Sequence, residues 1–113
     1  MTTKLRQIAA GMRQSVSQHD SGWTAATLPH GLELVLSHQA EMWRLALRRE
    51  RVYPSDIEAG ILAEVFGVPD GIESARRRSW RDTHPKTKQP LLWCVIEMTW
   101  RETESESTGA RPD

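Results

Sequence analysis

Apolar residues recur at three- and four-residue spacing near the start of the chain. Leu5, Ile8, Ala9, Met12 and Val16 fall on one face of a helix. Thr2 or Thr3 is placed to cap its start, and His19, Asp20, Ser21 and Gly22 to end it. The stripe is narrow, and Gly11 interrupts it at a cost of about 1 kcal/mol against Ala. Such a helix depends on a surface to pack against, either the domain's own sheet or a second chain.

After a linker containing Trp23 and Pro29 the period changes to two. In GLELVLS, Leu32, Leu34 and Leu36 share one face while Glu33 and Ser37 face away. In MWRLALRRE, Trp43, Leu45 and Leu47 alternate with Arg44, Ala46 and Arg48. The HQAE between them has hairpin-loop length, so the two strands are expected to pair antiparallel with leucines and Trp43 inward.

YPSDIEAGILAEVFGVPDG then returns to helical spacing. Ser55 caps, Glu58 three residues later completes a capping box, and Gly67 marks the stop. Ile57, Ile61, Leu62, Val65 and Phe66 are assigned to the buried face. Pro69, Asp70 and Gly71 form a turn, since Pro fixes φ and Gly permits a positive one. LLWCVIEMTW is a strand apolar on both sides. Leu92, Cys94, Ile96, Met98 and Trp100 lie on one face, and Leu91, Trp93 and Val95 on the other. That pattern belongs to a central or doubly covered strand. Residues 73–82 fit a strand as well, although periodicity alone leaves a helix open there. HPKTKQP would supply the loop of a second hairpin, with a flexible basic tip.

Together these elements predict an α+β domain over residues 1–101: N-terminal helix, β-hairpin, capped helix, second β-hairpin. The small sheet is antiparallel, with the helix packed on one face. Residues 102–113, with four acids against one Arg, read as an acidic disordered tail.

Composition narrows the class of function. The 113 residues suit one domain, and 38% hydrophobic with 27% charged residues excludes a disordered chain. Basic and acidic residues balance at 15 each, so electrostatic targeting has to come from uneven placement. Twelve of the 15 basic residues are Arg. Asn is absent, which removes any N-glycosylation acceptor. Cys94 is the single cysteine, so neither an internal disulfide nor a cysteine zinc site is expected. No run of apolar residues is long enough for a membrane span, and MTTKLRQIAAGMRQ lacks a signal-peptide core. The expected setting is reducing and cytoplasmic, with no membrane partner.

Nothing in the chain reads as a catalytic constellation. His19, His30, His38 and His84 fall in predicted loops or helix ends without the spacing of a helical metal site. Cys94 alternates with Leu92 and Ile96 as a small core residue, and phosphate-cradling glycine motifs are missing. These features point away from an enzyme and imply no cofactor or metal. ILAEVFGVPDGIESARRR carries the Ala63-x-x-x-Gly67-Val68 spacing of a helix-turn-helix. Yet Pro69 and Gly71 sit at the start of its would-be recognition helix, and Glu73 takes a position that wants an aliphatic.

The positive signal is RRRSWRDTHPKTKQP. Residues 76–88 hold six cationic side chains against one Asp. Arg44, Arg48, Arg76, Arg77, Arg78, Arg81, Lys86 and Lys88 can contact phosphates, and Trp80 can stack on an exposed base. The expected partner is DNA or RNA. Two counterweights stand beside it. Cations on an edge strand guard against aggregation, and Glu50, Asp56, Glu58 and Asp82 are near enough in sequence to neutralise the patch. The alternative function is a protein-interaction module or homodimer, using the N-terminal helix or a Trp-bearing sheet face. Of the five Trp, positions 43, 93 and 100 fit the core, whereas Trp23 and Trp80 are candidates for exposure.

Overall fold

The computed structural model describes residues 2–18 and 22–101. Two helices and five strands follow in the order α1 (Thr2–Gln18), β1 (Trp23–Thr27), β2 (Glu33–Gln39), β3 (Met42–Glu50), α2 (Asp56–Phe66), β4 (Arg76–Thr83) and β5 (Pro90–Arg101). Short 3-10 turns precede β2 and β4. The strands form one antiparallel sheet ordered β1-β2-β3-β5-β4, so the long apolar β5 lies inside the sheet and the arginine-rich β4 at its edge. This is the α+β architecture expected from the period changes along the chain. The expected terminator at 19–21 and the acidic tail at 102–113 lie outside the described residues.

Both helices cover the same side of the sheet. Leu34 and Leu36 of β2 pair with Leu47 and Leu45 of β3, which pair in turn with Ile96 and Met98 of β5. Ala9, Met12 and Val16 of α1 and Ala59, Leu62, Ala63 and Phe66 of α2 close over them in one buried cluster. Burial of each large aliphatic contributes about 1.5–3 kcal/mol, so these rows anchor the domain. The narrow stripe of α1 finds its surface here, against the sheet and α2. Arg13 on its flank is drawn partly out of water, which lowers its pKa from the usual arginine range.

The sequence expectation for α2 needs correction. Leu62 and Phe66 are buried, but Ile57 is 76% exposed and Ile61 43%. Ala59 and Ala63 take the inward positions instead. These small side chains belong to the buried cluster that α2 shares with α1 and the leucine rows, while Ile57 and Ile61 turn outward; Ile72, 42% exposed, lies next to Gly60 of the same helix. The cap is as expected: Ser55 Oγ accepts from the Glu58 N–H (3.1 Å), and Glu58 Oε1 accepts from the Ser55 N–H (2.8 Å). At the other end Gly67 adopts φ 70°, and the Val68 N–H donates to the Ala63 carbonyl.

Three further differences concern turns and edges. The linker holding Trp23 contains a strand, β1, which its two alanines and short length conceal. His38 and Gln39 belong to β2, leaving Ala40 and Glu41 as a two-residue turn with positive φ at both (50° and 66°). Residues 73–75 belong to the 3-10 turn and its cap, and β4 runs from Arg76. The arginines that a helix-turn-helix would present from its recognition helix therefore lie on a strand. The expected flexible tip is hydrogen-bonded within itself: His84 Nδ1 accepts from the Lys86 and Thr87 N–H groups, and the Lys88 N–H donates to the His84 carbonyl.

Arg49 fastens α2 to the sheet. Its guanidinium donates to both Glu58 carboxylate oxygens (3.0 and 2.7 Å), while its Nε donates to the His30 carbonyl. The Arg49 hydrogen bond, opposed in part by desolvation, lowers the Glu58 pKa from 4.5 to about 2.

Two measurements check this packing. Replacing Leu62 by Ala is expected to cost about 2–5 kcal/mol and Ile57 by Ser under about 0.5 kcal/mol, measured by denaturant unfolding. Similar losses from both would place Ile57 in the core. Because the folded pKa of Glu58 is depressed, its contribution is present above pH 4.5 and is lost as pH falls towards about 2. Glu58→Gln is expected to flatten the stability profile across that window. An acid limb of unchanged steepness would separate Glu58 from acid unfolding.

Candidate functional site

Alternation along each strand sorts the charged residues onto two sides of the sheet. The register places Arg44, Arg48, Arg76, Arg78 and Trp80 on the side away from the helices, together with Trp23, Glu33, Glu50, Asp82, Trp93, Val95 and Glu97. Arg77 and Arg81 point to the helix side of β4, and Lys86 and Lys88 lie in the turn beyond its last pair. The nine residues expected to contact nucleic acid thus do not form one surface. Five share the open face, and four occupy the far side and the tip of the β4–β5 hairpin.

Carboxylates divide these cations a second time. Glu97, on the middle of β5 with its side chain only 13% exposed, is gripped by Arg44 and by Arg78 (3.3 Å). Glu33 Oε1 accepts from Arg48 Nη2 (2.9 Å) and Nε (3.2 Å), and the same guanidinium lies 4.3 Å from the Trp93 ring centre. On the helix side Arg77 pairs with Asp56 (3.1 Å) and lies 5.6 Å from the Tyr53 ring. Arg44, Arg48, Arg77 and Arg78 are therefore paired, Arg44 and Arg78 through one shared carboxylate. Arg76, Arg81, Lys86 and Lys88 are exposed and make no ion pair among the described residues.

Sequence proximity had marked Glu50, Asp56, Glu58 and Asp82 as the neutralising acids. Asp56 and Glu58 do pair with arginines, at Arg77 and Arg49. Asp82 instead accepts from the Thr83 N–H. The carboxylates that matter most on the open face, Glu33 and Glu97, were missed. Glu97 continues the Leu91-Trp93-Val95 side of β5, so its face was readable, but its two partners come from β3 and β4 and only pairing brings them together.

The tryptophans divide in a similar way. Trp43 and Trp100 lie on the helix side, stacked 6.3 Å apart, with His38 4.4 Å from Trp43. Trp93, assigned from sequence to positions compatible with the core, sits on the open face beneath Arg48. Trp23 and Trp80 stand at diagonally opposite corners of that face. A twisted sheet raises one such pair of corners, and both rings line a single groove of about 350 Å³ with Val35, Ser37, Gln39, Arg44, Ala46 and Arg48. Trp23 is 54% exposed.

Cys94 is buried on the helix side of β5, and His84 holds the hairpin turn. No group of three His, Cys, Asp or Glu converges to hold a metal among the described residues, and none of their helices is long and apolar enough to cross a membrane. No family model, curated protein or solved structure matches the chain.

The Arg48–Glu33 contact offers a test of the neutralisation. A double-mutant cycle with Arg48→Ala and Glu33→Ala is expected to give a coupling of about 1 kcal/mol that shrinks with added salt. A coupling indistinguishable from zero at low salt would leave Arg48 free for a ligand.

Proposed function

We propose that this chain is a binding protein that contacts the phosphate backbone of nucleic acid along the β4 edge and the β4–β5 tip. The observation that carries the reading is a set of exposed cations without ion-pair partners among the described residues: Arg76, Arg81, Lys86 and Lys88 lie along one edge strand and its turn. Arg44, Arg48, Arg49, Arg77 and Arg78 already hold carboxylates, so a phosphate there would have to displace them. At the edge it displaces only water and counterions, which is the usual source of affinity for a polyanion. The hydrogen-bonded turn supports the reading by holding Lys86 and Lys88 in place before any ligand arrives. Trp80, alternating with Arg81 on β4, is near enough to stack on a base of a single strand.

The test uses fluorescence anisotropy with labelled single- and double-stranded oligonucleotides across a salt series. Four phosphate contacts give a slope of log affinity against log salt of about −3 to −4. Changing Arg76, Arg81, Lys86 and Lys88 together to Ser is expected to abolish that slope with little change in melting temperature. Arg44→Ser, which removes a paired arginine, is expected to leave it nearly intact. Absence of salt-sensitive binding in the wild-type chain would make the edge cations a guard against strand pairing. An equal loss from Arg44→Ser would move the site to the open face.

A further inference from the structure

The open face of the sheet differs from its β4 edge in that its charges nearly cancel. Arg44, Arg48, Arg76, Arg78 and Arg101 stand there with Glu33, Glu50, Asp82 and Glu97. A polyanion gains little long-range attraction from such a surface, whereas a second copy meets little net repulsion. The helices cover only the other side. Beneath the arginine stems lies an apolar floor, with Val95 wholly buried and Ala46 8% exposed. Above it, Trp23 is half out of water on the wall of a groove of about 350 Å³. Trp and Arg around a desolvated centre are the residues that carry most of the energy in protein interfaces.

We propose that two copies of this chain associate face to face through this side of the sheet, about a two-fold axis. Trp23 of each copy enters the other's groove, between Arg44, Arg48 and Trp80. The arrangement is isologous, so every contact is made twice, and the nearly balanced charges let arginines of one copy meet carboxylates of the other. Five strands at about 4.8 Å and seven residues at about 3.4 Å give a face of roughly 24 by 24 Å before side-chain relief. That is of the order of the ~800 Å² per partner that a stable interface buries. The product is a four-layer sandwich, helices outside and two sheets about 10 Å apart inside. The β4–β5 tips stay at its rim. Trp80 and Arg76 border both surfaces, but Trp23 and Ser37 lie away from the edge cations, so variants there test association separately from nucleic-acid contact.

Sedimentation equilibrium of the full chain over a range of concentrations tests this. The wild-type chain is expected to be a dimer. Trp23→Glu is expected to weaken association at least about thirtyfold, as loss of an interface tryptophan does. Ser37→Arg, which fills the groove from β2, should have the same effect and provides an independent variant if Trp23→Glu folds poorly. Ile57→Ser, on the opposite side of the molecule, should leave the dimer intact. A wild-type chain that is monomeric throughout overturns the proposal, as does a dimer that survives both groove variants or is broken by Ile57→Ser.

Discussion

The register of β3 between β2 and β5 is the constraint on which the other features rest. Leu45 and Leu47 are fully buried, flanked by Leu36 and Leu34 on one side and Met98 and Ile96 on the other. A slip of one residue would drive Arg44 and Arg48 into the cluster under the helices and lift the leucines into water. Two buried guanidinium groups without partners would cost far more than the pairing could return. The leucine rows therefore fix the sheet. The sheet in turn fixes which arginines meet Glu33, which meet Glu97, and which remain at the edge.

That division gives the two sides of the sheet different electrostatic characters. On the open face Arg48 lies over Trp93 and holds Glu33, while Arg44 and Arg78 share Glu97. Their charge is spent locally, and their stems cover apolar floor that would otherwise face water. At the edge, β4 has one neighbour, so no strand lies beyond it to offer a carboxylate, and Arg76 and Arg81 make no ion pair among the described residues. The same residue type thus acts as a cover in the middle of the sheet and as free charge at its border.

Arg49 shows how few contacts join the layers. One side chain satisfies the carboxylate that caps α2 and the carbonyl of His30 in the turn before β2. Its bidentate geometry couples the start of α2 to the end of β3, with Pro54 buried between them in sequence. α2 turns Ala59 and Ala63 inward and leaves Ile57 and Ile61 outside, and Ile72 in the following turn is exposed as well. Residues 55–75 carry five acids and no base, directly before the basic stretch 76–88. Acidic and basic surface are therefore segregated along the chain and partly joined again by the Arg77–Asp56 pair.

Local periodicity determined a good deal by itself. The period-two alternation around Leu34, Leu36, Leu45 and Leu47 identified the first hairpin and its inward face. Ser55, Glu58 and Gly67 marked both ends of α2, because capping and left-handed termination are settled within four residues of chain. The apolar character of β5 on both sides revealed its interior place in the sheet. Tertiary structure alone decided the rest. β1 is a strand because β2 offers it a ladder, not because Ala25 and Ala26 favour one. Ile57 is exposed because α2 rotates to seat its alanines, and helical spacing cannot distinguish two adjacent apolar stripes. Whether an arginine is paired depends on the strand or helix opposite it, which is non-local, so the six cations of residues 76–88 divided into two paired arginines and four exposed charges only once the elements were in place.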